Sequence, residues 1–315
     1  MSKKVFLKGT LILACTGLVS RIAGFFYRIF LSHAIGAEGL GLYQLILPLQ
    51  GLMAALSYTG IQSALSRLIA SRLALQEKKE AYFSLVTGIF AAVFFSAVTG
   101  FLLFRHADFF ASTILKAPGT SDLLRLTAAS IPLCAIHSCI DSYYYARKKA
   151  SVPAAVQLSE QTVRIGATYI LYLIFLSEGR PVTAMIAAGG SLAGEAAASL
   201  ISLLMVSFHF GNHPVKEKTS VKIFPLIKDL FTLSFPISLN RILLTLLGSI
   251  EAVLIPQMLI RCGMTSSEAL KIYGIFTGMA LPLLLFPSTI TTSAAVMLMP
   301  SVARMDALGD QKQIR

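Results

Sequence analysis

"GLVSRIAGFFYRIFLSHAIG" (residues 17–36) decides the fold class. It is the second half of a first apolar stretch, 5–31, that is long enough to cross a bilayer, yet it holds Arg21 and Arg28. A hydrocarbon core of about 30 Å takes roughly 20 apolar residues. Arginine inside such a helix costs about 2.5–3.5 kcal/mol on insertion scales, so both guanidinium groups must face water, a partner or a bundle interior. Arg21 lies thirteen positions after Lys8, about 20 Å along a helix, too deep to snorkel to the inner surface. Arg28 is seven positions later on nearly the same face, with Gly24 between them, and Gly17 and Gly24 let a neighbouring helix come close. Two readings follow. In one, Arg28 snorkels outward and Arg21 forms a structural ion pair. In the other, which we prefer, the stripe lines a wet cavity for an anionic substrate.

The rest of the chain extends this pattern. Of 315 residues, 55% are hydrophobic and 13% charged, with mean hydropathy +0.73. This composition excludes an ordinary soluble domain. We expect an all-α polytopic membrane protein with eight transmembrane helices, at about 6–32, 40–66, 82–104, 121–146, 152–177, 182–208, 229–258 and 270–299. The net charge of +12 invites a nucleic-acid reading, but its distribution argues against one. With the N-terminus inside, seventeen Lys and Arg fall in inside segments (Lys3, Lys4, Lys8; Arg67, Arg72, Lys78, Lys79; Arg147, Lys148, Lys149; Lys216, Lys218, Lys222, Lys228; Arg304, Lys312, Arg315). Six fall outside: Arg105, Lys116, Arg125, Arg180, Arg261 and Lys271. This is the positive-inside bias. It places both the N-terminus and residue 315 in the cytoplasm and accounts for the basic charge without a nucleic-acid partner. Residues 1–34 begin like a secretory signal, but the run is too long, contains arginines and lacks a small-residue cleavage site, so a retained helix is expected. There is no Trp, and "DSYYYARKK" (141–149) reads as a tyrosine belt at the inner interface.

Sliding the sequence on itself by 230 positions lays "AEGLGLY" (37–43) on "SEALKIY" (267–273) and span on span. Thr59, Ser63, Ala64 and Ser71 then meet Thr289, Ser293, Ala294 and Ser301. The offset covers six spans, an even number, so the copies are parallel repeats about an axis along the membrane normal. The expected organisation is a six-helix lobe at 1–215, a cytoplasmic linker at 216–228 and the start of a second lobe at 229–315. A complete second copy would end near residue 460, so a fragment or truncated product is expected.

Eight charged residues fall within spans: Arg21, Arg28, Asp141, Glu160, Arg164, Glu195, Arg241 and Glu251. The repeat places Arg21 opposite Glu251, facing one central cavity, with Asn240 and Arg241 deeper on the same helix. Glu160 and Arg164, at i,i+4, neutralise each other. Glu195 follows Gly190 and Gly194, a small-xxx-small contact that buries it against another helix. Arg21, Arg28, Asn240, Arg241 and Glu251 are thus the candidate substrate-binding residues, with Glu160, Arg164 and Glu195 for charge balance or ion coupling. Asp141 sits near the inner end of its span and says least. Pro48, Pro132, Pro236, Pro256, Pro282 and Pro287 interrupt spans, as in transporters with kinked helices.

Cys15, Cys134, Cys139 and Cys262 form no CxxC pair and read as small buried side chains rather than zinc ligands or disulfides. The five histidines are scattered. His209 and His213 are at i,i+4, but Gly211 and Asn212 are expected to break the helix between them. HExxH, GxSxG and Walker A patterns are absent, so neither enzyme chemistry, a metal nor a cofactor is expected.

The residues that carry a family resemblance are "GTLILACTGLVSRIAGFFYRIFLSHAIGAEGLGLYQLILPL" (9–49), "YYYARKKASVPAAVQLSEQTVRI" (143–165) and "AAVMLMPSVARMDALGD" (294–310). The chain resembles the stage V sporulation protein B family, in the polysaccharide-exporter branch of the multidrug/oligosaccharidyl-lipid/polysaccharide flippase superfamily. The resemblance implies two six-helix lobes, a central cavity and alternating access. It implies export of an undecaprenyl-pyrophosphate-linked saccharide for peptidoglycan, spore cortex or surface polysaccharide. Partners would be that lipid-linked oligosaccharide, the bacterial cell membrane and a coupling ion, H+ or Na+. Related lipid II flippases carry important arginines in a pattern like Ser20-Arg21…Gly24…Arg28, which points to pyrophosphate. They also carry an Arg and a Glu early in the eighth helix, where "YGIFTGMALPLL" (273–284) has neither. The competing readings are a drug/cation antiporter of the same fold, which would want unpaired acids rather than two arginines, and an inactive relic or scaffold.

Overall fold

Two helices open the chain and meet at Gly36. In the computed structural model, which describes residues 3–212, 223–285 and 287–308, α1 (Lys3–Ser57) departs from helical backbone angles at Gly36, with φ 72° and ψ 170°. That backbone conformation is open to glycine and strained for other residues. It turns the chain back: Arg28 and Tyr43, which a straight helix would hold about 22 Å apart, line one cavity. The arms 3–35 and 37–57 thus correspond to the first span and most of the second, which α2 (Thr59–Ala74) continues after Tyr58.

The expected spans 82–104, 121–146, 152–177 and 182–208 fall on α3 (Lys78–Arg105), α4 (Ser121–Ala146), α5 (Ser151–Ser177) and α6 (Met185–Asn212). The seventh falls on α7 (Ile223–Arg261). Five stretches among the described residues are long and apolar enough to cross a membrane, and the first of them, Gly9–Ser57, contains both arms of α1. The eighth expected span is not one helix. It consists of α8 (Ser266–Ile275), a π-turn at Phe276–Ala280, the short helix Leu281–Leu284 and α9 (Ser288–Ala307). Pro48, Pro132, Pro236 and Pro256 sit inside continuous helices; Pro282 follows the π-turn inside Leu281–Leu284, and the break in the helix comes after Leu284, beside Pro287. No strand occurs among the described residues.

Small residues and hydroxyls set the helix contacts. Gly190 and Gly194 on α6 lie against α5: a Cβ at Gly194 would sit 2.9 Å from the Glu160 carbonyl oxygen. Ser199 on α6 donates to the Leu133 carbonyl of α4 (2.6 Å), and Ser142 on α4 to the Gln62 carbonyl of α2 (2.9 Å). Thr99, Thr127, Thr162 and Ser249 donate back to carbonyls four residues earlier, which satisfies their hydroxyls where lipid offers no partner. Phe90, Phe101, Phe208 and Phe235 are exposed on the outer faces. "AEGLGLY" and "SEALKIY", aligned by the repeat, pack against each other. Gly41 approaches the Leu270 carbonyl so closely that a Cβ would clash with it, and Ser267 donates to Glu38 at 2.6 Å. On the side read as cytoplasmic, Arg72 binds Glu77 (3.1 Å), Glu80 (2.9 Å) and Asp229 (2.8 Å), joining α2, α3 and α7. Burial works against its charge, but the three acids outweigh it and raise its pKa above the ordinary arginine value.

One local expectation is corrected. Tyr143 and Tyr144 form no interfacial belt: both are buried, ringed by His209 and Phe210, because α6 packs over that face of α4. Arg147 donates to the Tyr143 hydroxyl at 2.7 Å and also contacts His209. Gly211 and Asn212 are the last described residues of α6, so the expected break before His213 falls at the edge of the described residues. His213, Lys216, Lys218, Lys222, Lys312 and Arg315 lie outside the described residues, as does most of the linker.

Candidate functional site, a cationic cavity inside the bundle

Both arms of α1, with α5, α6 and the broken segment 277–296, line an open cavity of about 970 Å³. Its charged lining is Arg21, Arg28, Arg164 and Glu195, three guanidinium groups to one carboxylate. Four amides (Gln44, Gln50, Gln157, Gln161) and the hydroxyls of Ser20, Tyr27, Tyr43, Ser191, Thr277 and Ser288 fill out its polar surface. Gly24 faces α5 beside the arginine stripe: a Cβ there would meet Gln161 Nε2 at an ordinary contact distance of 3.6 Å.

The arginines differ in how they are held. Arg21 does not meet Glu251. Its Nη1 donates to the Leu285 carbonyl (2.6 Å) and its Nη2 to Ser288 Oγ (3.3 Å). It therefore binds at the carbonyl end of the helix that stops at Leu284, where a cation is favoured, on a carbonyl that also accepts from the Ser288 N–H (3.1 Å) and hydroxyl (2.7 Å). Arg28 has no hydrogen-bond or ion-pair partner among the described residues and lines the cavity beside Arg21 and Arg164. Arg164 contacts Glu160 and lies 3.6 Å from Glu195 Oε1. Tyr27 and Tyr43 are tied to the wall through Thr168 (3.0 Å) and Ser191 (2.8 Å).

Asn240, Arg241 and Glu251 are exposed on α7 and are not part of the cavity lining. The expected meeting of Arg21 with Glu251 across one cavity is therefore not seen, because α7 leaves these side chains exposed. Sequence reasoning missed His137 and with it the role of Asp141. His137 Nε2 is 2.9 Å from Glu195 Oε2, and Nδ1 is 3.8 Å from Asp141 Oδ2. The available signal was the i,i+4 spacing of His137 and Asp141 inside an apolar span. The lining glutamines were also missed: Gln157, Gln161 and Arg164 recur at helical spacing on one face of α5.

Residues 6–306 match the polysaccharide biosynthesis protein family. Stage V sporulation protein B of Bacillus subtilis (strain 168) is 32% identical over 96% of this chain and 59% of its own length. Lipid II flippase MurJ of the same organism is 24% identical over 56% of this chain and 34% of its own length. The chain thus spans about six-tenths of the first of these relatives. The MATE multidrug transporter DinF-BH superposes with TM-score 0.73 at 15% identity, over 99% of this chain and 67% of its own; that likeness shows the fold. A multi-pass membrane chain with a MATE-like helical fold and an arginine-lined cavity, this protein belongs to the polysaccharide biosynthesis protein family.

Proposed function

We propose that this chain supplies one complete six-helix lobe and the first part of a second lobe to a flippase for undecaprenyl-pyrophosphate-linked saccharides, working by alternating access. The observation that carries the reading is Arg28, an unpaired guanidinium in a cavity whose charged lining is net cationic. A pyrophosphate offers several anionic oxygens to guanidinium forks, and charge-assisted pairs of this kind are the strong ones. The amides and hydroxyls around it suit the hydroxyls of a sugar. The close packing of "AEGLGLY" on "SEALKIY" supports two parallel lobes, since elements beside a shared axis meet their own copies. In this reading the chain crosses the membrane eight times with its N-terminus inside. The drug/cation antiporter reading is less well served: the single lining acid, Glu195, is already engaged by His137 and Arg164.

The test is export of a lipid-linked cell-wall precursor in cells depleted of their own flippase. It compares this chain, a version extended to the length of its relatives, and Arg28→Ala and Arg21→Ala in the extended version. Arg28→Ala is expected to lower export at least tenfold at equal expression. Wild-type export by Arg28→Ala would remove the anion-site reading.

A further inference from the structure

Behind the cavity wall, α4, α5 and α6 enclose a second polar cluster. We propose that Cys134, His137 and Glu195 form a binding site for a zinc-class divalent metal ion. One donor atom from each residue lies within 4.8 Å of the other two. His137 Nε2 and Glu195 Oε2 are 2.9 Å apart. The side chains of His137 and Glu195 are only 13% and 12% exposed, and Cys134 is buried.

Four further observations fit a metal. A ligating histidine usually passes its second ring nitrogen to a carboxylate, which fixes the ring. Here Asp141 Oδ2 is 3.8 Å from His137 Nδ1, and both Nδ1 and Asp141 Oδ1 are buried without a hydrogen bond. Three carboxylates, on Asp141, Glu160 and Glu195, stand against the Arg164 guanidinium and the His137 ring, so the cluster is short of positive charge even with that ring protonated. Thiol, imidazole and carboxylate together select a zinc-like ion over sodium or calcium, and three ligands leave a fourth position open. Glu195 also lines the cavity, which gives the ion a way in. Its two oxygens divide the work: Oε1 faces Arg164 at 3.6 Å while Oε2 faces His137.

Binding exchanges protons for the ion. Cys134 gives up its thiol proton to bind as thiolate, His137 binds through a neutral ring nitrogen, and the proton it shares with Glu195 leaves to solvent. No linear motif announces the site, because one turn of α4 places Cys134 and His137 on the same face and the third ligand comes from α6. The inference stands apart from the flippase reading.

The test uses the full chain in detergent micelles, stripped with chelator and titrated with Zn²⁺ or Co²⁺. One equivalent should bind, and Co²⁺ should give a thiolate-to-metal charge-transfer band in the near ultraviolet. Cys134→Ser should abolish that band, while Cys15→Ser and Cys262→Ser keep it. His137→Gln and Glu195→Gln should each weaken binding at least tenfold, and Asp141→Asn about tenfold with every ligand in place. Helical circular dichroism confirms that each variant is folded. Binding of less than roughly a tenth of an equivalent, a band that survives Cys134→Ser, or an affinity untouched by His137→Gln would each overturn the proposal.

Discussion

Gly190→Ala should disrupt the contact between α5 and α6. A Cβ at Gly190 would stand 1.9 Å from Thr168 Oγ1 and 2.8 Å from the Arg164 carbonyl oxygen. The hydroxyl can rotate away only by giving up its 2.8 Å bond to that carbonyl and its 3.0 Å bond with the Tyr27 hydroxyl. The carbonyl belongs to the helix backbone and cannot rotate, so the helices must separate by roughly 0.6 Å to restore a 3.4 Å contact (3.4 minus 2.8). Overpacking of this kind costs about 1–3 kcal/mol, and we expect Gly190→Ala at the upper end because two hydrogen bonds go with it. Thr168→Ala alone should cost about 1 kcal/mol. The double variant should cost less than the sum, with a coupling of about 1 kcal/mol, since removing the hydroxyl relieves the shorter clash and leaves the carbonyl one. Reversible unfolding in mixed micelles, followed by helical circular dichroism, measures all three. A harmless Gly190→Ala, or strictly additive single variants, would refute the packing argument.

Arg164→Ala leaves Glu160 and Glu195 without their guanidinium and should destabilise the fold by about 3–5 kcal/mol, with Glu160→Ala added to it recovering part of the loss; the same unfolding assay reads both. Arg72→Ala should cost about 1 kcal/mol, since its three acids are partly solvated, and should speed hydrogen exchange at the start of α7. Glu268 closes a capping box with Thr265 at the start of α8. Hydrogen bonds from the Thr265 backbone and hydroxyl hold its carboxyl below the ordinary glutamate value of 4.5. A lowered folded pKa stabilises above the unfolded value and fades as pH falls through the folded one. The melting advantage of wild type over Glu268→Ala should therefore be full at pH 7 and vanish in acid below 4.5; an advantage independent of pH would contradict it.

What was legible in the sequence was whatever depends on one helix at a time. Apolar runs located the helices, and Gly190, Gly194 and Glu195 announced a close helix contact from spacing alone. The i,i+4 pairing of Glu160 with Arg164 is of the same kind. The readings that failed needed the angle of one helix about another. Arg21 and Glu251 align in the repeat, but whether they meet depends on the rotation of α7, and a break near Pro287 offers Arg21 a carbonyl instead. Tyr143 and Tyr144 looked interfacial by position, until α6 covers them. His137 was passed over because its partner Glu195 is 58 positions away. Lipid-facing helices are apolar all round, so hydropathy marks where a helix lies but not which of its faces turns inward.

Arg28 stands apart from the other charges read within the spans of residues 3–212, which have partners. Asp141 and Glu195 flank His137, Glu160 and Glu195 flank Arg164, and Arg21 caps a carbonyl. A bundle that gives each of those groups a partner and leaves one guanidinium facing a cavity without one holds that group at a cost in stability. Arg28→Leu should therefore stabilise the protein in micelles, by about 1 kcal/mol or more given the insertion penalty of arginine at mid-bilayer, while removing export in the extended version. Stability and activity then move in opposite directions, as expected of a site held for binding. Arg28→Leu that unfolds more easily than wild type would mean that Arg28 supports the fold, and the anion would have to be sought at Arg21 and Arg164 alone.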